Sequence, residues 1–131
     1  MDILQIKESI LYCADLEQTR DFYSRIMKFP VITYVENQHV FFGAGRSVLL
    51  CFNPEASKVK VSPPPHFATG PQHIAFEVDL EEYEEWKKHI QDERIIIIDE
   101  IKWENGFLSF YFLDPDKHVL EIIQKGFWSP F

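Results

Sequence analysis

The stretch LSFYFLDPDKHVLEII, residues 108–123, decides the fold of this chain. Its two apolar runs, Leu108–Leu113 and His118–Ile123, are rich in the aromatic and β-branched residues that strands favour. Asp114-Pro115-Asp116 lies between them and is typical of a turn, because proline presets one backbone angle and aspartate bonds its own backbone. The stretch therefore predicts two neighbouring strands, with Glu121 in the middle of the second.

The elements before this stretch complete a unit that contains one strand, one helix and three further strands. Asp79 and Glu82 form a capping-box pattern, and apolar residues at three- and four-residue steps follow it, which predicts a helix. Strands are predicted on both sides of this helix, at Gln72–Val78, Arg94–Ile101, Leu108–Leu113 and His118–Ile123. The second half of the chain is thus predicted to be βαβββ.

The first half of the chain repeats the same order. Asp15 and Gln18 form another capping-box pattern, and Pro30 ends the helical pattern because proline cannot continue a helix. The predicted strands are Ile6–Ala14, Pro30–Glu36, His39–Gly43 and Ser47–Phe52. Two βαβββ units in tandem predict an α+β fold.

The predicted organisation is a single domain over residues 1–131. Module one spans 1–53, a connector spans 54–70, module two spans 71–125 and a tail spans 126–131. The connector contains Pro63-Pro64-Pro65 and has no periodic pattern, so it either joins the modules or covers what they enclose. Trp103 and Trp128 are predicted to lie at an interface or in the core.

Composition excludes several classes of partner. The 131 residues carry a formal charge of −8, which disfavours nucleic acid and anionic membrane surfaces as partners. No apolar run is long enough for a membrane span, and no export signal is recognisable, so we expect a cytoplasmic protein. Cys13 and Cys51 are then expected to be buried thiols. A small molecule is the expected partner.

A carboxylate occurs in module two where module one has an aliphatic residue. Val119-Leu120-Glu121 corresponds to Val48-Leu49-Leu50 when the two halves are aligned. Burying a charged carboxylate costs free energy unless a partner compensates it. Glu121 is therefore predicted to face a cation.

Three segments resemble the vicinal oxygen chelate superfamily, which includes glyoxalase I, fosfomycin-resistance transferases, extradiol dioxygenases and bleomycin-binding proteins. They are Glu8 to Tyr23, Gly70 to Phe76 and Phe110 to Ile122. The resemblance covers nearly the whole chain and implies that the tandem βαβββ modules form a curved mixed sheet around a cleft. Lys117 departs from the family pattern, which often has glycine at that turn position. The fold does not fix the reaction, because it carries many chemistries and also binding without chemistry.

The resemblance also implies a metal site. In relatives the ligands come from the first and last strands of the modules, and the matching residues here are Glu8, His73 and Glu121. Glu8 departs from the pattern, which usually has histidine or glutamine there. Leu50 occupies a fourth position that holds a carboxylate in glyoxalase I, and it cannot bind metal.

Two carboxylates and one imidazole suit a divalent ion such as Mn²⁺, Fe²⁺, Ni²⁺, Co²⁺ or Zn²⁺, and spacing does not choose among them. Non-haem iron oxygenases usually use two histidines and one carboxylate, so this set favours redox-neutral Lewis-acid chemistry over oxygen activation. In that chemistry the metal stabilises developing negative charge, and a nearby base moves a proton. Glu8 and Glu121 are the expected catalytic carboxylates, and Glu8 is either a ligand or the base.

Four further residues are candidates for substrate binding. Tyr111 and Ser109 share one face of the strand beside that of Glu121, where they either bond a ligand or pack. His66 in the connector either closes over a ligand or is solvated. Arg46 in a turn either meets an anionic ligand or is simply exposed.

The expected function is a metal-dependent glyoxalase-like enzyme, either a lyase or isomerase or a thiol transferase, acting on a small oxygen-chelating substrate. The alternative is a metal-free protein that sequesters an aromatic or antibiotic-like ligand, as bleomycin-binding relatives do. Those relatives lack the metal set, which counts against this alternative. An extradiol-type dioxygenase is third. Such modules commonly dimerise, and in fosfomycin-type relatives the counterpart of Glu8 comes from the other chain, so we expect a homodimer.

Overall fold

Eight strands form two four-stranded mixed sheets in the computed structural model, which describes residues 1–131. The strands are β1 (Glu8–Tyr12), β2 (Val31–Val35), β3 (His39–Ala44), β4 (Ser47–Phe52), β5 (His73–Val78), β6 (Asp99–Lys102), β7 (Leu108–Leu113) and β8 (Val119–Gln124). The sheet orders are β1-β4-β3-β2 and β5-β8-β7-β6. The α+β class and the tandem βαβββ order are confirmed. The chain divides into two compact units, Met1–Gly70 and Pro71–Phe131.

Helices are few and short. α1 (Leu16–Asp21) runs directly into one π-helical stretch (Phe22–Ile26), α2 (Pro54–Ser57) is a single turn, and a 3₁₀ turn (Leu80–Glu82) precedes α3 (Tyr83–Asp92). None of them is long and apolar enough to cross a membrane. α2 lies in the predicted connector, where the Asn53 side chain caps it by accepting from the backbone N–H of Glu55 at 3.0 Å.

The two predicted helix caps have different outcomes. The Asp15 carboxylate accepts from the backbone N–H groups of Glu17 and Gln18 at 3.0 and 3.1 Å, so this cap is confirmed. The prediction for Asp79 is wrong, because its side chain makes no capping bond. That carboxylate lies 3.2 Å from the Lys125 ammonium instead, and the chain enters α3 through the 3₁₀ turn.

The predicted strand at Arg94–Ile101 is shorter in the structure, because the end of α3 takes up its first residues. Arg94 has a left-handed φ of 61°, and the Ile95 N–H bonds the Ile90 carbonyl, which closes the helix. The strand begins only at Asp99, and Ile96 is 77% exposed. Most of this isoleucine run is therefore a connection and not a strand.

Each sheet packs one face against its own helical segment, and side chains alternate between the faces along each strand. In the second unit, the packed side of the sheet contributes fully buried residues that include Phe110, Phe112, Leu120 and Ile122, together with Tyr83 and Ile90 of α3. Glu121 lies between two of these residues and so projects from the opposite face.

The two sheets have the same register in their parallel pairs. Glu8 pairs with the residue two positions before Leu50, and His73 pairs with the residue two positions before Glu121. Glu8 is therefore equivalent to His73, and Leu50 is equivalent to Glu121. The sequence correspondence of the two halves is thus also a correspondence of backbone positions.

Lys117 has a left-handed φ of 65°, at the turn position where relatives often have glycine. Lys117→Gly should raise the free energy of unfolding by about 0.5–1 kcal/mol, because glycine adopts this φ without a Cβ penalty, partly offset by its entropy when unfolded. Urea unfolding measures the change. Lys58→Gly, at an ordinary φ of −67°, is the matched control and should not stabilise. A lower urea midpoint for Lys117→Gly would contradict the prediction.

Candidate functional site

The face of the second sheet opposite α3 brings together four of the residues that the sequence predicted. Tyr111 on β7 is the direct partner of Glu121 on β8, and Ser109 follows on the same face of β7. His73 begins β5, the strand on the other side of β8. Strand alternation therefore places the candidate polar groups of three strands side by side.

His73 and Glu121 form the central pair of this site. The His73 Nε2 atom lies 3.2 Å from the Glu121 Oε2 atom. The Glu121 side chain is 8% exposed and the His73 side chain is 50% exposed, so the carboxylate is buried beneath a ring that solvent reaches. A solute could approach the pair from the side of the imidazole.

The backbone fixes the protonation pattern of the imidazole. The His73 Nδ1 atom lies 2.8 Å from the Val119 carbonyl oxygen, and a carbonyl can only accept, so Nδ1 carries a proton. In the neutral ring the Nε2 lone pair then faces the Glu121 carboxylate. The Nε2 lone pair and the carboxylate oxygen repel each other unless a cation or a second proton lies between them.

That donor set fits a divalent metal ion. Imidazole nitrogen and carboxylate oxygen are common ligands, and a histidine whose other nitrogen donates to a carbonyl is oriented for metal binding. No group of three or more His, Cys, Asp or Glu side chains is arranged to hold a metal together. The structure thus offers two of the predicted ligands, and Glu8 belongs to the other unit as the exposed first residue of β1.

Tyr111 connects Glu121 to further hydrogen-bonding groups. Its ring stands at the position paired with Glu121 and its hydroxyl interacts with that carboxylate, while the hydroxyl also accepts from the Ser109 hydroxyl at 3.5 Å. The Ser109 oxygen in turn accepts from the Trp103 indole Nε1–H at 2.9 Å. Burial raises the pKa of Tyr111, and the bond to Glu121 also raises it, so the phenol stays protonated and can donate.

Ser109 and Trp103 bond to each other beside the site. Ser109 is fully buried, and its hydroxyl lies between Trp103 and Tyr111, so in the structure it contacts protein groups. Trp103 was predicted only as an interface or core residue, and sequence reasoning missed its bond to the site. The sequence could have suggested this bond in one way only, because an indole N–H needs a hydrogen-bond partner when it is buried.

His66 lies against the first sheet. Its Nδ1 atom is 2.7 Å from the Tyr12 hydroxyl, and its ring packs edge-on against Phe52 with 4.8 Å between centroids. Phe52 also packs on Phe41, whose ring stacks on His39 at 4.1 Å. We call Tyr12, His39, Phe41, Phe52 and His66 the aromatic cluster.

Sequence reasoning found only His66 of this cluster. The other four residues lie on one face of three neighbouring strands, because Phe52 pairs with Tyr12 on one side and with His39 on the other. Aromatic residues two positions apart, such as His39 and Phe41, were the available signal. The cluster gives the first unit an aromatic sheet face.

His39 should make the protein sensitive to mild acid. Burial lowers its pKa below the ordinary value of about 6.5, and the nearby Lys60 ammonium lowers it further. The unfolded chain then takes up the proton more readily, so stability falls as the pH drops below about 6.5 and levels off below the folded pKa.

His39→Phe keeps a ring against Phe41 and removes the titrating group. The loss of urea midpoint between pH 7.5 and pH 5 should be smaller in this variant than in the unmodified protein. Groups that titrate in both proteins cancel in the comparison. Equal losses in both proteins would contradict the prediction.

The hydrogen bonds of Arg46 are made by its backbone and not by its side chain. It is exposed in the turn between β3 and β4, and its backbone carbonyl accepts from the side chains of Gln5 and Lys7. A surface depression of about 360 Å³ in the first unit is lined by Ala14, Asp15, Leu16, Glu17, Tyr34, Glu36 and Asn37. It contains none of the predicted site residues.

Comparison with known proteins identifies the family to which the fold is similar. The sequence profile of the Glyoxalase/Bleomycin resistance protein/Dioxygenase superfamily matches residues 3–122. The solved structure of a lactoylglutathione lyase from Agrobacterium tumefaciens is 30% identical, with a TM-score of 0.93 and 98% of each chain covered. No curated protein sequence matches the chain.

More distant structures share the fold. A glyoxalase/dioxygenase from Nostoc punctiforme is 22% identical, with a TM-score of 0.69, and the match covers 92% of this chain and 90% of that one. The fosfomycin resistance protein FosX from Mesorhizobium loti is 17% identical, with a TM-score of 0.67 and coverage of 94% and 93%. At these identities the likeness concerns the fold alone.

Proposed function

Because the chain belongs to the Glyoxalase/Bleomycin resistance protein/Dioxygenase superfamily, we propose that it is a metal-dependent, glyoxalase-like enzyme. The reaction is redox-neutral, a lyase or isomerase reaction or a thiol transfer, on a small substrate that chelates through two oxygens. One observation carries the proposal: the His73 Nε2 and Glu121 Oε2 atoms lie 3.2 Å apart, with the Nδ1 proton of His73 committed to the backbone.

His73 and Glu121 would hold the ion through these atoms. Mn²⁺, Fe²⁺, Ni²⁺, Co²⁺ and Zn²⁺ all suit the donors. The bound ion would supply Lewis-acid stabilisation of negative charge on a substrate oxygen. The protein groups do the rest: Val119 keeps the imidazole oriented, and Tyr111 donates to the carboxylate and limits its rotation.

Glu8 is the proposed third ligand or the general base. Its support is positional, since it occupies in β1 the register position that His73 occupies in β5. Leu50, the equivalent of Glu121, is a buried aliphatic residue and offers no donor. The first module would therefore contribute at most one carboxylate. A Glu8→Gln variant separates the two roles, because loss of the base lowers the rate while metal affinity stays high.

Metal analysis is the first test. Protein purified without chelator should contain close to one divalent ion per chain, and Glu121→Ala should contain much less. A protein that lacks stoichiometric metal, and that binds none of the five ions when they are added, would refute the metal-dependent function.

Activity is the second test. The relative from Agrobacterium tumefaciens has the name lactoylglutathione lyase, so formation and cleavage of lactoylglutathione should be assayed with each ion. Thiol addition to small electrophiles, with glutathione as the thiol, is the matching assay for the transferase alternative. Activity that depends on added ion and is lost in His73→Ala would support the proposal.

A second candidate function is metal-free sequestration of an aromatic ligand, and the aromatic cluster is the observation that favours it. The half-buried ring of Phe41, supported by Phe52, offers a stacking surface, and the acidic chain suits a cationic ligand. Titration with a cationic aromatic dye in the presence of chelator tests this function. Tight binding without metal, weakened in Phe52→Ala, would support it over the enzyme.

We also expect a homodimer in the cytoplasm. Both cysteines are buried, and neither takes part in a disulfide. Sedimentation equilibrium measures the oligomeric state. A second chain matters to the mechanism if Glu8 acts across the dimer, and mixing Glu8→Gln with His73→Ala chains would then restore activity in the mixed dimers.

A further inference from the structure

We propose that Trp103 is a positioning residue that orients the Glu121 carboxylate through Ser109 and Tyr111. The three residues form a series of donors, which we call the donor chain. The orientation matters for catalysis only if Glu121 is a metal ligand, so the proposal rests on the proposed function. Trp103 lies just beyond β6, outside the three segments that carry the family resemblance.

The donor chain has one direction. The Trp103 indole N–H can only donate, so the Ser109 oxygen must accept at 2.9 Å. This leaves the Ser109 proton for the Tyr111 oxygen at 3.5 Å, and the Tyr111 proton for the Glu121 carboxylate. Because each oxygen accepts from the residue before it, the proton of that hydroxyl must point to the residue after it. A chain of aligned donors also strengthens each of its bonds.

Burial limits the access of water to the middle and to the end of the donor chain. Ser109 is fully buried and Glu121 is 6% exposed. When the indole N–H is removed, the buried Ser109 oxygen loses its donor, and the hydroxyl is free to rotate away from Tyr111. The Tyr111 proton then loses its fixed direction, and the carboxylate loses the bond that limits its rotation.

The donor chain thereby fixes the position of the Glu121 carboxylate relative to His73. With Tyr111 donating to the carboxylate, Oε2 remains 3.2 Å from the His73 Nε2 atom. The Tyr111 ring also stacks against the His73 ring, with 6.1 Å between centroids and 27° between the ring planes, so one residue lies against both proposed ligands. Trp103 acts on this arrangement without touching either ligand.

Metal affinity is the first measurement. Trp103→Phe keeps an aromatic ring and removes the N–H, and it should weaken Co²⁺ binding on the order of tenfold in calorimetry. Trp128→Phe is the matched control, because Trp128 packs on the same Phe127 ring as Trp103 but stands outside the donor chain. Its affinity should change by less than about twofold.

A double-mutant cycle separates positioning from packing. Tyr111→Phe cuts the donor chain next to Glu121, so adding Trp103→Phe to it should weaken Co²⁺ binding no further. Additive losses would overturn the proposal, because they would mean that Trp103 acts independently of the chain. An unchanged affinity in Trp103→Phe would overturn it as well.

The metal-free protein gives a readout that does not depend on the proposed function. The chain has three tryptophans, so its indole N–H resonances are few, and the Trp103 resonance should shift in Tyr111→Phe. The Glu121 Cδ resonance should shift in Trp103→Phe and stay in place in Trp128→Phe. If it does not move in Trp103→Phe, the positioning role is refuted. If both resonances shift as expected and no ion binds, only the metal-dependent function fails.

Discussion

Glu121→Leu should abolish metal binding and at the same time stabilise the metal-free protein. Module one has leucine at the equivalent position, Leu50. That side chain is buried and needs no polar partner. The substitution removes one of the two proposed ligands, so affinity for divalent ions should fall at least about 100-fold. It also removes a buried carboxylate that only His73 and Tyr111 compensate in the metal-free state. The free energy of unfolding should rise by about 1–2 kcal/mol.

Two measurements check this result: calorimetric titration with each of the five ions, and urea unfolding in the presence of chelator. Glu77→Leu is the matched control, because Glu77 is an exposed carboxylate on β5, two pleats beyond His73. It should change neither quantity appreciably. Retained metal affinity in Glu121→Leu would show that Glu121 is not a ligand, and a lowered urea midpoint would show that its carboxylate is well compensated without metal.

Gly126→Ala should destabilise the protein by about 2–3 kcal/mol, because two costs add at this residue. Gly126 has a φ of 98°, where a side chain is strained, and a Cβ placed there would lie 3.1 Å from the Phe107 ring. Phe107 contacts Phe127, and Phe127 contacts Trp103, so the displacement should reach the donor chain. Metal affinity should therefore fall several-fold together with stability.

Gly70→Ala is the control for backbone strain alone. Gly70 has a similar φ of 84°, and nothing lies within 4 Å of its Cβ position. Its cost should be about 1–2 kcal/mol, without an effect on metal binding. Urea unfolding and Co²⁺ titration of both variants measure the difference. If Gly126→Ala costs no more than Gly70→Ala, the contact with Phe107 is easily relieved and the tail does not support Trp103.

The strands of the fold were predictable where residue pattern and pairing agree. Ser47–Phe52 and Leu108–Leu113 have the predicted bounds, because apolar and β-branched residues there also have partners on both sides. The isoleucines at 95–98 have the same strand propensity, but the helix end before them and the short pairing of β6 leave them outside the strand. Local propensity does not report such competition.

The candidate site was predictable to the level of its ionisable groups. Glu121 was notable because a carboxylate among aliphatic residues needs a partner, and His73 came from the resemblance and lies next to it. The donor chain was not predictable, since an indole six residues away from a serine carries no periodic signal. The aromatic cluster was missed because its rings come from separate strands and the connector.

The shared register of the two parallel pairs limits how the chain can change in evolution. Side chains alternate sides along β8, so one inserted or deleted residue before Glu121 would turn the carboxylate to the packed side and put Leu120 or Ile122 in its place. Substitutions in the turn at residues 114–117 leave this alternation unchanged, whereas a change in the length of the turn shifts it by one residue or more. Natural variants of this protein should therefore differ in the composition of that turn far more freely than in its number of residues.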